Sequence, residues 1–319
     1  MHIVAADGPL LQQIIDLTCP VWNEGLTPAA YGQWNAAQLR TPWGRTHLTR
    51  LALVDDDGAL LASLKRYRYD VRVDGRDGTM CGIGAVFTPP DRRGRGHASA
   101  LIQRVLDDER RAGALLAVLF SEIGTAYYER LGFTALPLDE VTVNVKRKDG
   151  APAMLVRAGG DADIPALAGL HAVRAASARL ALRRDASMIG FTLAKKRMFA
   201  GLSAPGHRQL EFFVAEEGAS AVAYVVLSQN QHGWTLEEAG DRDPAAARLG
   251  GMLQVLVARE PSKPLPIIRT WWPRAFAVPP QIELTGRTDA RDVMMVRALA
   301  DIDLPTGADD VFYWRSDYF

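Results

Sequence analysis

The sequence has little cysteine and no long apolar run, and both shortages narrow what the protein can be. Its two cysteines, Cys19 and Cys81, are far apart and form neither a metal-ligand spacing nor a disulfide framework. We interpret both as reduced packing residues of a cytoplasmic protein. No stretch approaches the roughly 20 apolar residues that cross a bilayer, and the first residues lack the pattern of a signal peptide. The sequence therefore predicts no metal site and no membrane segment.

A net charge is also missing. Lys and Arg number 37, as do Asp and Glu, so the formal net charge is zero. A neutral total gives no general reason to expect nucleic acid or an anionic membrane as a partner. Hydrophobic residues make up 48% of the 319 residues, which is typical of a globular protein long enough for two domains.

Periodicity predicts a mixed α/β fold, with a similar order of elements in each half. In the first half we expect helices at 8–18, 27–39, 94–113 and 124–132, strands at 1–6, 48–56, 59–73, 79–87 and 114–120, and a hairpin over 133–145. In the second half we expect helices at 162–182 and 244–258, and strands at 212–217, 221–229, 234–240 and 266–272. The polar segment 146–153 is the predicted boundary between domains 1–147 and 153–319. Trp271 and Trp272, at a strand end, are expected to pack in the core rather than stack on a ligand.

The segment between the strand ending at Phe87 and the helix after Gly96 carries the chemistry. A helix N-terminus has backbone N–H groups without internal partners, and its dipole favours negative charge. Glycines at 94 and 96 let a ligand approach the backbone, and arginines at 92, 93 and 95 add positive charge. These features favour a pyrophosphate site, although a solvated loop or part of a nucleic-acid patch has similar composition. Neither a GxGxxG fingerprint nor a P-loop is present.

The run Arg93-Gly94-Arg95-Gly96-His97-Ala98 resembles the Arg/Gln-x-x-Gly-x-Gly/Ala signature of the GCN5-related N-acetyltransferase (GNAT) superfamily. The flanking segments GIGAVFTPP, ALLAVLFSEI and AYYERLGF are similar to the family's neighbouring elements and occur in the same order. The likeness covers residues 48–136 by motif and the first 47 residues by pattern. It implies tandem acetyltransferase folds that use acetyl-CoA (coenzyme A).

The resemblance also implies roles for particular residues. The backbone amides from Gly94 through Ser99 would hold the pyrophosphate of coenzyme A, with help from the Arg93 side chain and the Ser99 hydroxyl. The strand residues Ala85, Val86 and Phe87 would pair with the pantetheine arm, and the last two amides would form an oxyanion hole. Tyr128 would be the general acid for the leaving thiolate, although its apolar surroundings also suit a packing residue. Tyr127 is interpreted as packing.

The general base is less clearly marked. Glu122 and Glu24 are candidates, and each is also explained as a structural or solvated carboxylate. The aromatic end of the chain is expected to be docked, since such residues avoid water. In two similar tandem families, the enhanced-intracellular-survival acetyltransferases and N-myristoyltransferase, the terminal carboxylate enters the first domain's active site. The likeness therefore adds the Phe319 carboxylate as a third candidate.

The second half resembles the first without its phosphate loop. In place of a basic glycine turn it has an acidic segment, residues 237–244, which would repel pyrophosphate. We interpret it as a degenerate GNAT-like domain that presents the C-terminal tail near the active site.

The sequence predicts an N-acetyltransferase that moves acetyl from acetyl-CoA to a primary amine by direct attack. The organisation resembles fungal lysine N6-acetyltransferase and the tandem survival-type enzymes, and the acceptor, a small molecule or a lysine side chain, stays open, as does a homo-oligomer. A non-catalytic coenzyme A-binding sensor is the alternative. An RNA-binding Arg-Gly module is a third hypothesis, which the neutral charge disfavours.

Overall fold

The structure is a computed structural model that describes residues 1–146, 154–259 and 265–319. Up to residue 136 the elements are, in order, β1 (His2–Ala5), α1 (Gly8–Trp22), α2 (Pro28–Arg40), α3 (Pro42–His47), β2 (Leu48–Val54), β3 (Leu60–Val73), β4 (Arg76–Phe87), α4 (His97–Arg111), β5 (Leu116–Ser121), α5 (Ala126–Glu129) and β6 (Thr134–Ala135). The predicted strands and helices of this stretch are confirmed, and α3 was not predicted. Thr41 begins α3 by accepting a hydrogen bond from the Gly44 amide.

The remaining elements follow Pro137. They are β7 (Asp139–Val145), β8 (Leu155–Ala158), α6 (Ile164–Ala175), β9 (Leu180–Leu182), α7 (Ala186–Leu202), β10 (Arg208–Glu217), β11 (Ser220–Asn230), β12 (Gly233–Asp241), α8 (Ala247–Ala258), β13 (Ile268–Trp271), β14 (Ile282–Asp289), β15 (Val293–Ala298) and β16 (Val311–Phe312). In the part of the chain described, no helix is long and apolar enough to cross a membrane.

The chain divides into two compact units that are not continuous in sequence. The first unit consists of Met1–Leu136, Arg291–Leu304 and Phe319, and the second of Pro137–Ala290 and Pro305–Tyr318. The predicted linker at 146–153 lies, apart from Lys146, outside the described residues. Each unit has its own mixed sheet, and the predicted mixed α/β class is confirmed.

The sheet of the first unit has the strand order β1-β2-β3-β4-β5-β15-β6. Only the β4–β5 pair is parallel within this path, and the other neighbours are antiparallel. Helix α4 covers one face because its apolar residues recur every three or four positions. Its buried side chains Leu101, Ile102, Val105 and Leu106 pack against residues of β2 to β5 such as Leu53. This packing fixes the N-terminus of α4 beside the end of β4.

The sheet of the second unit has the order β14-β7-β13-β12-β11-β10-β8. Helix α8 and residues near the end of the chain pack on this sheet. In that core, Trp272, Phe312 and Trp314 are all at most 4% exposed. Trp271 is 1% exposed, so both tryptophans of this strand end are packing residues, as predicted.

Two predictions about the elements are wrong, and several elements were missed. Residues 133–145 do not form a hairpin, because β6 pairs with β15 while β7 pairs with β13 and β14. The predicted helix 162–182 ends at Ala175 and is followed by β9. The long helix α7 was missed; it begins where the Asp185 side chain accepts a hydrogen bond from the Met188 amide at 2.7 Å. Strands β8, β14, β15 and β16 were also not predicted.

Candidate active site

The loop before α4 presents bare backbone. Gly94 and Gly96 have φ of +75° and +79°, which L side chains rarely adopt, and a Cβ at either would meet nothing within 4 Å. Gly96 is the N-cap of α4, and no side chain of the described residues caps this helix. The amides of His97, Ala98 and Ser99 precede the first intrahelical donor, Ala100, whose N–H reaches the Gly96 carbonyl at 2.9 Å. The sequence signature thus produces an open cradle of N–H donors.

The arginines around this cradle have different roles. Arg93 is exposed, and its Nε donates to the Thr88 carbonyl at 3.2 Å, which ties the loop to the end of β4. Arg92 pairs with the neighbouring Asp91 at 3.2 Å, in an exposed contact worth little. Arg95 is exposed beside Gly96. Positive charge therefore surrounds the uncapped helix end.

Beside the cradle, strand β4 parts from β5. Their parallel pairing runs from Met80 and Leu116 to Ile83 and Leu119, and in the described ladder it goes no further. On the other side of β4, the register with β3 shifts between Ser63 and Lys65. This shift is a bulge, and Ala85 lies in it with φ of +47°, an unusual value for a residue with a side chain.

Beyond Ile83, the edge of β4 that faces β5 has no strand partner in the described ladder. Ala85 and Val86 are half-buried and Phe87 is buried, with its ring 6.4 Å from that of Trp22. An extended ligand arm could add to this edge as a further strand does, through main-chain hydrogen bonds. The geometry therefore brings the predicted pairing residues next to the predicted phosphate cradle.

The two tyrosines of α5 have different surroundings. The Tyr127 hydroxyl lies 2.9 Å from Ser99 Oγ, so it fixes a side chain of the cradle. Sequence reasoning took Tyr127 for a packing residue and missed this contact. Tyr128 is 8% exposed, and burial, with smaller contributions from Tyr127 and Glu122, raises its pKa to about 12. Such a phenol keeps its proton throughout the neutral range.

Phe319 belongs to the first unit and lies against β4. Its ring centroid is 5.1 Å from that of Tyr67 and 5.2 Å from those of Tyr69 and Phe120. A Cβ built on Gly82 would be 2.9 Å from this ring, and one on Gly84 would be 3.5 Å from the Phe319 carbonyl oxygen. The glycines of β4 thus make room for Phe319, and its main-chain carboxyl group lies next to the bulge.

The other two candidate bases are exposed. Glu122 follows β5 and is close enough to influence the pKa of Tyr128. Glu24 lies in the turn between α1 and α2 with φ of +47°.

The second unit has a carboxylate where the first has an open helix end. Asp241 is fully buried, and its two oxygens accept hydrogen bonds from the Leu249 amide at 2.9 Å and the Asp243 amide at 2.8 Å. Burial raises the pKa of Asp241, and the two backbone hydrogen bonds lower it by less. Gly250 and Gly251 are buried inside α8 and form no loop. The chain's own anion therefore occupies the N-terminal turn of α8.

Sequence reasoning also missed a buried ionic cluster in the second unit. Arg184 Nη2 donates to Glu238 Oε2 at 2.7 Å, and Nη1 lies 3.5 Å from Asp317 Oδ1. Asp317 Oδ2 accepts from the Trp314 amide at 2.9 Å. Glu238 belongs to the predicted strand 234–240 and lies on β12, where it is 1% exposed. The cluster anchors the tail two residues before Phe319.

Comparisons with known proteins concern the fold and the family of residues 8–136. Residues 8–136 match the family described as acetyltransferase (GNAT) domain. A probable N-acyltransferase of Enterococcus faecalis V583 has a TM-score of 0.70 at 16% identity, covering 93% of this chain and 72% of its own. A GCN5-related N-acetyltransferase of Kribbella flavida has a TM-score of 0.67 at 19% identity, covering 93% and 70%.

A tandem GNAT protein from the clavulanic acid biosynthesis pathway superposes over 95% of this chain and 99% of its own, with a TM-score of 0.52 and 13% identity. No curated protein sequence matches the chain. At these identities the structural likeness establishes the fold, and the family match covers residues 8–136. Residues 8–136 therefore match the acetyltransferase (GNAT) domain family, and the chain shares the fold of a tandem GNAT protein.

Proposed function

We propose that this protein is an acetyl-CoA-dependent N-acetyltransferase that acts on a primary amine. The observation that carries the proposal is the uncapped N-terminus of α4, with its two open glycines, beside the bulged edge of β4. One element binds a pyrophosphate and the other an extended amide-containing arm, which are the two parts of coenzyme A. The second unit, whose equivalent helix end holds Asp241, contributes no cofactor loop.

The cradle fits the group it is proposed to hold. Backbone amides from Gly94 to Ser99 would bind the pyrophosphate, because unpaired N–H groups and the helix dipole favour anions. Arg93 and Arg95 add charge, and the Ser99 hydroxyl is oriented by Tyr127. The backbone of Ala85, Val86 and Phe87 would hold the arm and, through the last two amides, polarise the carbonyl under attack.

Acetyl-CoA, when bound, supplies a thioester that an amine can attack. As the new C–N bond forms and the C–S bond breaks, the nitrogen loses one proton and the sulfur needs one. Tyr128 is proposed to give that second proton, since its hydroxyl stays protonated with a pKa of about 12 and lies beside the cradle residue Tyr127. The two proton transfers balance over one turnover.

The proton that the amine nitrogen loses needs an acceptor. We propose the Phe319 carboxyl group, because it lies at Gly84, one residue from the bulge. Glu122 and Glu24 stay as candidates, since both are carboxylates of the first unit. The acceptor is a small molecule or a lysine side chain, and the buried free thiols Cys19 and Cys81 fit a cytoplasmic location.

The test is thiol release from acetyl-CoA in the presence of a panel of amines, with direct titration of coenzyme A. Gly96→Glu places a strained, negatively charged side chain in the cradle and should weaken coenzyme A binding by at least about 100-fold. Gly58→Glu is the matched control, because Gly58 has φ of +82° in an open turn away from the cradle. Normal coenzyme A binding by Gly96→Glu contradicts the site, and binding without thiol release from any amine favours the sensor.

A further inference from the structure

Strand β15 presents Arg297 to the helices that carry the proposed site. The strand lies between β5 and β6 in the first sheet, and Arg297 is opposite Ala117 of β5. The Arg297 side chain is half-buried, and its Nη1 donates to the Leu131 carbonyl at 2.6 Å and to Gln103 Oε1 at 3.1 Å. One guanidinium group therefore joins the turn after α5 to helix α4. The mechanism proposed above assigns no role to Arg297.

The contacts of Arg297 are strong and directional. Burial lowers its pKa, as does the neighbouring Arg110, but a guanidinium stays protonated in proteins. Hydrogen bonds from a charged donor are roughly twice as strong as those between neutral groups. Gln103 is itself fixed, because its Nε2 donates to Asp107 Oδ1 at 2.9 Å while its Oε1 accepts from Arg297.

The turn that Arg297 contacts is closed on Tyr128. The amides of Leu131 and Phe133 both donate to the Tyr128 carbonyl, at 2.9 and 3.1 Å. Between them Gly132 has φ of +78°, and a Cβ built on it would lie 3.4 Å from Arg297 Nε, a tight contact. The glycine thus permits both the turn and the close approach of the guanidinium. A movement of this turn would carry the backbone of Tyr128 with it.

The same turn is attached to α4 at two points. At the first, the Tyr127 hydroxyl lies 2.9 Å from Ser99 Oγ. At the second, Arg297 bonds both Gln103 and the turn. Ser99 and Gln103 are four residues apart, so they lie on one face of α4 about one helical turn from each other. Tyr128 lies between the two attachments, and both restrain it.

We propose that Arg297 is a positioning residue for acetyl transfer: it holds the turn after α5 so that the Tyr128 hydroxyl stays where it can protonate the departing thiolate. The inference rests on the proposed function, in which Tyr128 is that acid. The partners of Arg297 lie outside the cradle of residues 94–99. Removal of Arg297 should therefore slow the catalytic step and leave coenzyme A binding nearly intact.

The kinetic test is a double-mutant cycle of Arg297→Met and Tyr128→Phe, followed by thiol release from acetyl-CoA. Arg297→Met alone should lower kcat by about 10- to 100-fold, because a displacement of about 1 Å can cost that much. Its Kd for coenzyme A should change by less than about 3-fold. In Tyr128→Phe the same substitution should lower kcat by at most about 2-fold more, since the acid through which Arg297 acts is already absent. Full multiplication of the two losses overturns the proposal, and so does an unchanged kcat in Arg297→Met.

The controls separate positioning from a general loss of structure. Arg104 is the next residue on α4 after Gln103; it is exposed, and its Nη1 donates to the Met1 carbonyl at 3.1 Å. Arg104→Met should leave kcat unchanged in both backgrounds, and a loss equal to that of Arg297→Met overturns the proposal. Arg297→Lys keeps a charged donor on β15, so its kcat should lie between those of Arg297→Met and wild-type. A kcat at or below that of Arg297→Met contradicts the role of the hydrogen bonds.

A spectroscopic test needs no turnover. In protein labelled with 3-fluorotyrosine, the fluorine resonance of Tyr128 is identified by its loss in Tyr128→Phe. It should shift or broaden in Arg297→Met and Arg297→Lys, and it should stay unchanged in Arg104→Met. Coenzyme A titration of each labelled protein verifies that the first unit is folded.

The two tests distinguish the failure of this proposal from that of the proposed function. A moved Tyr128 resonance without thiol release from any amine keeps the contact and refutes the transferase. Full kcat in Tyr128→Phe refutes the assigned acid and the positioning role together. Thiol release that needs Tyr128, with a resonance that Arg297→Met leaves unmoved, overturns the role of Arg297 alone.

Discussion

Arg184 and Asp317 form an ion pair of 3.5 Å between side chains that are 0% and 1% exposed. The same guanidinium bonds Glu238 at 2.7 Å. One buried cation thus serves two buried carboxylates, and Asp317 lies in the last turn of the tail. The stability of the tail should therefore depend on this single arginine.

Arg184→Met should lower the free energy of unfolding by about 3–5 kcal/mol, because it leaves two carboxylates buried without their partner. Urea unfolding followed by circular dichroism measures the loss. Arg110→Met is the control: Arg110 pairs with Asp107 at 3.0 Å on an exposed helix face, and its removal should cost about 0–1 kcal/mol. Equal stability of the two variants contradicts the assigned role of the cluster.

The pH dependence of stability should also reveal Asp317. Burial raises its pKa to about 6, against the effect of Arg184. Between pH 4 and 6 the unfolded chain releases this proton and the folded chain retains it, so ionisation of Asp317 reduces stability as the pH rises through that window. The contribution of Asp317 to the free energy of unfolding is largest below pH 4.

The side chain introduced by Asp317→Asn cannot titrate. Between pH 4 and pH 6.5, the free energy of unfolding of this variant should therefore rise relative to that of wild-type by up to about 3 kcal/mol. Denaturation curves at four or five pH values test this. A constant difference between the two proteins across the range shows that Asp317 has an ordinary pKa.

Tyr128→Phe should lower kcat by about 100-fold or more and leave coenzyme A affinity unchanged, because only the proton donor is lost. Tyr127→Phe is an informative partner: it breaks the 2.9 Å contact with Ser99 and should weaken coenzyme A binding more than it lowers kcat. With a pKa of about 12 for Tyr128, the wild-type profile should show no loss of this acid below about pH 11. A Tyr128→Phe enzyme with full kcat needs another acid.

Deletion of Phe319 should abolish turnover and preserve coenzyme A affinity, since the proposed base leaves with it. Phe319→Leu keeps a carboxyl group at the same position and loses the ring contacts with Tyr67, Tyr69 and Phe120. It should retain more activity than the deletion. Full turnover by the deleted enzyme returns the role of base to Glu122 or Glu24.

The helix after Gly96 and the two open glycines before it could be predicted because their signals are local. Glycines at 94 and 96, an amphipathic helix after them and an apolar strand before them leave one arrangement of the backbone, whatever the rest of the chain does. The bulge at Ala85 is different: no residue type marks it, and only the shifted register with β3 reveals it.

Side-chain contacts over long sequence distances could not be predicted. Arg184, Glu238 and Asp317 stand far apart and look like surface residues, as does Arg50, until the strands that bury them are paired. Asp241 was expected to repel phosphate from a loop, whereas it occupies the helix end itself. The pairing of β7 with β13 and β14, and of β15 with β5 and β6, could not be predicted for the same reason. Strand pairing depends on the whole topology.

Strand β15 lies between β5 and β6, so residues 1–136 do not contain a complete first sheet. During synthesis, one hydrogen-bonding edge of β5 has no strand partner until Val293–Ala298 has been made. By then a further stretch of about half the full chain length has followed β5. An excised acetyltransferase domain would carry the same bare edge and tend to aggregate. Gene fragments ending near residue 147 are therefore poor starting points for crystallisation or for domain transplantation.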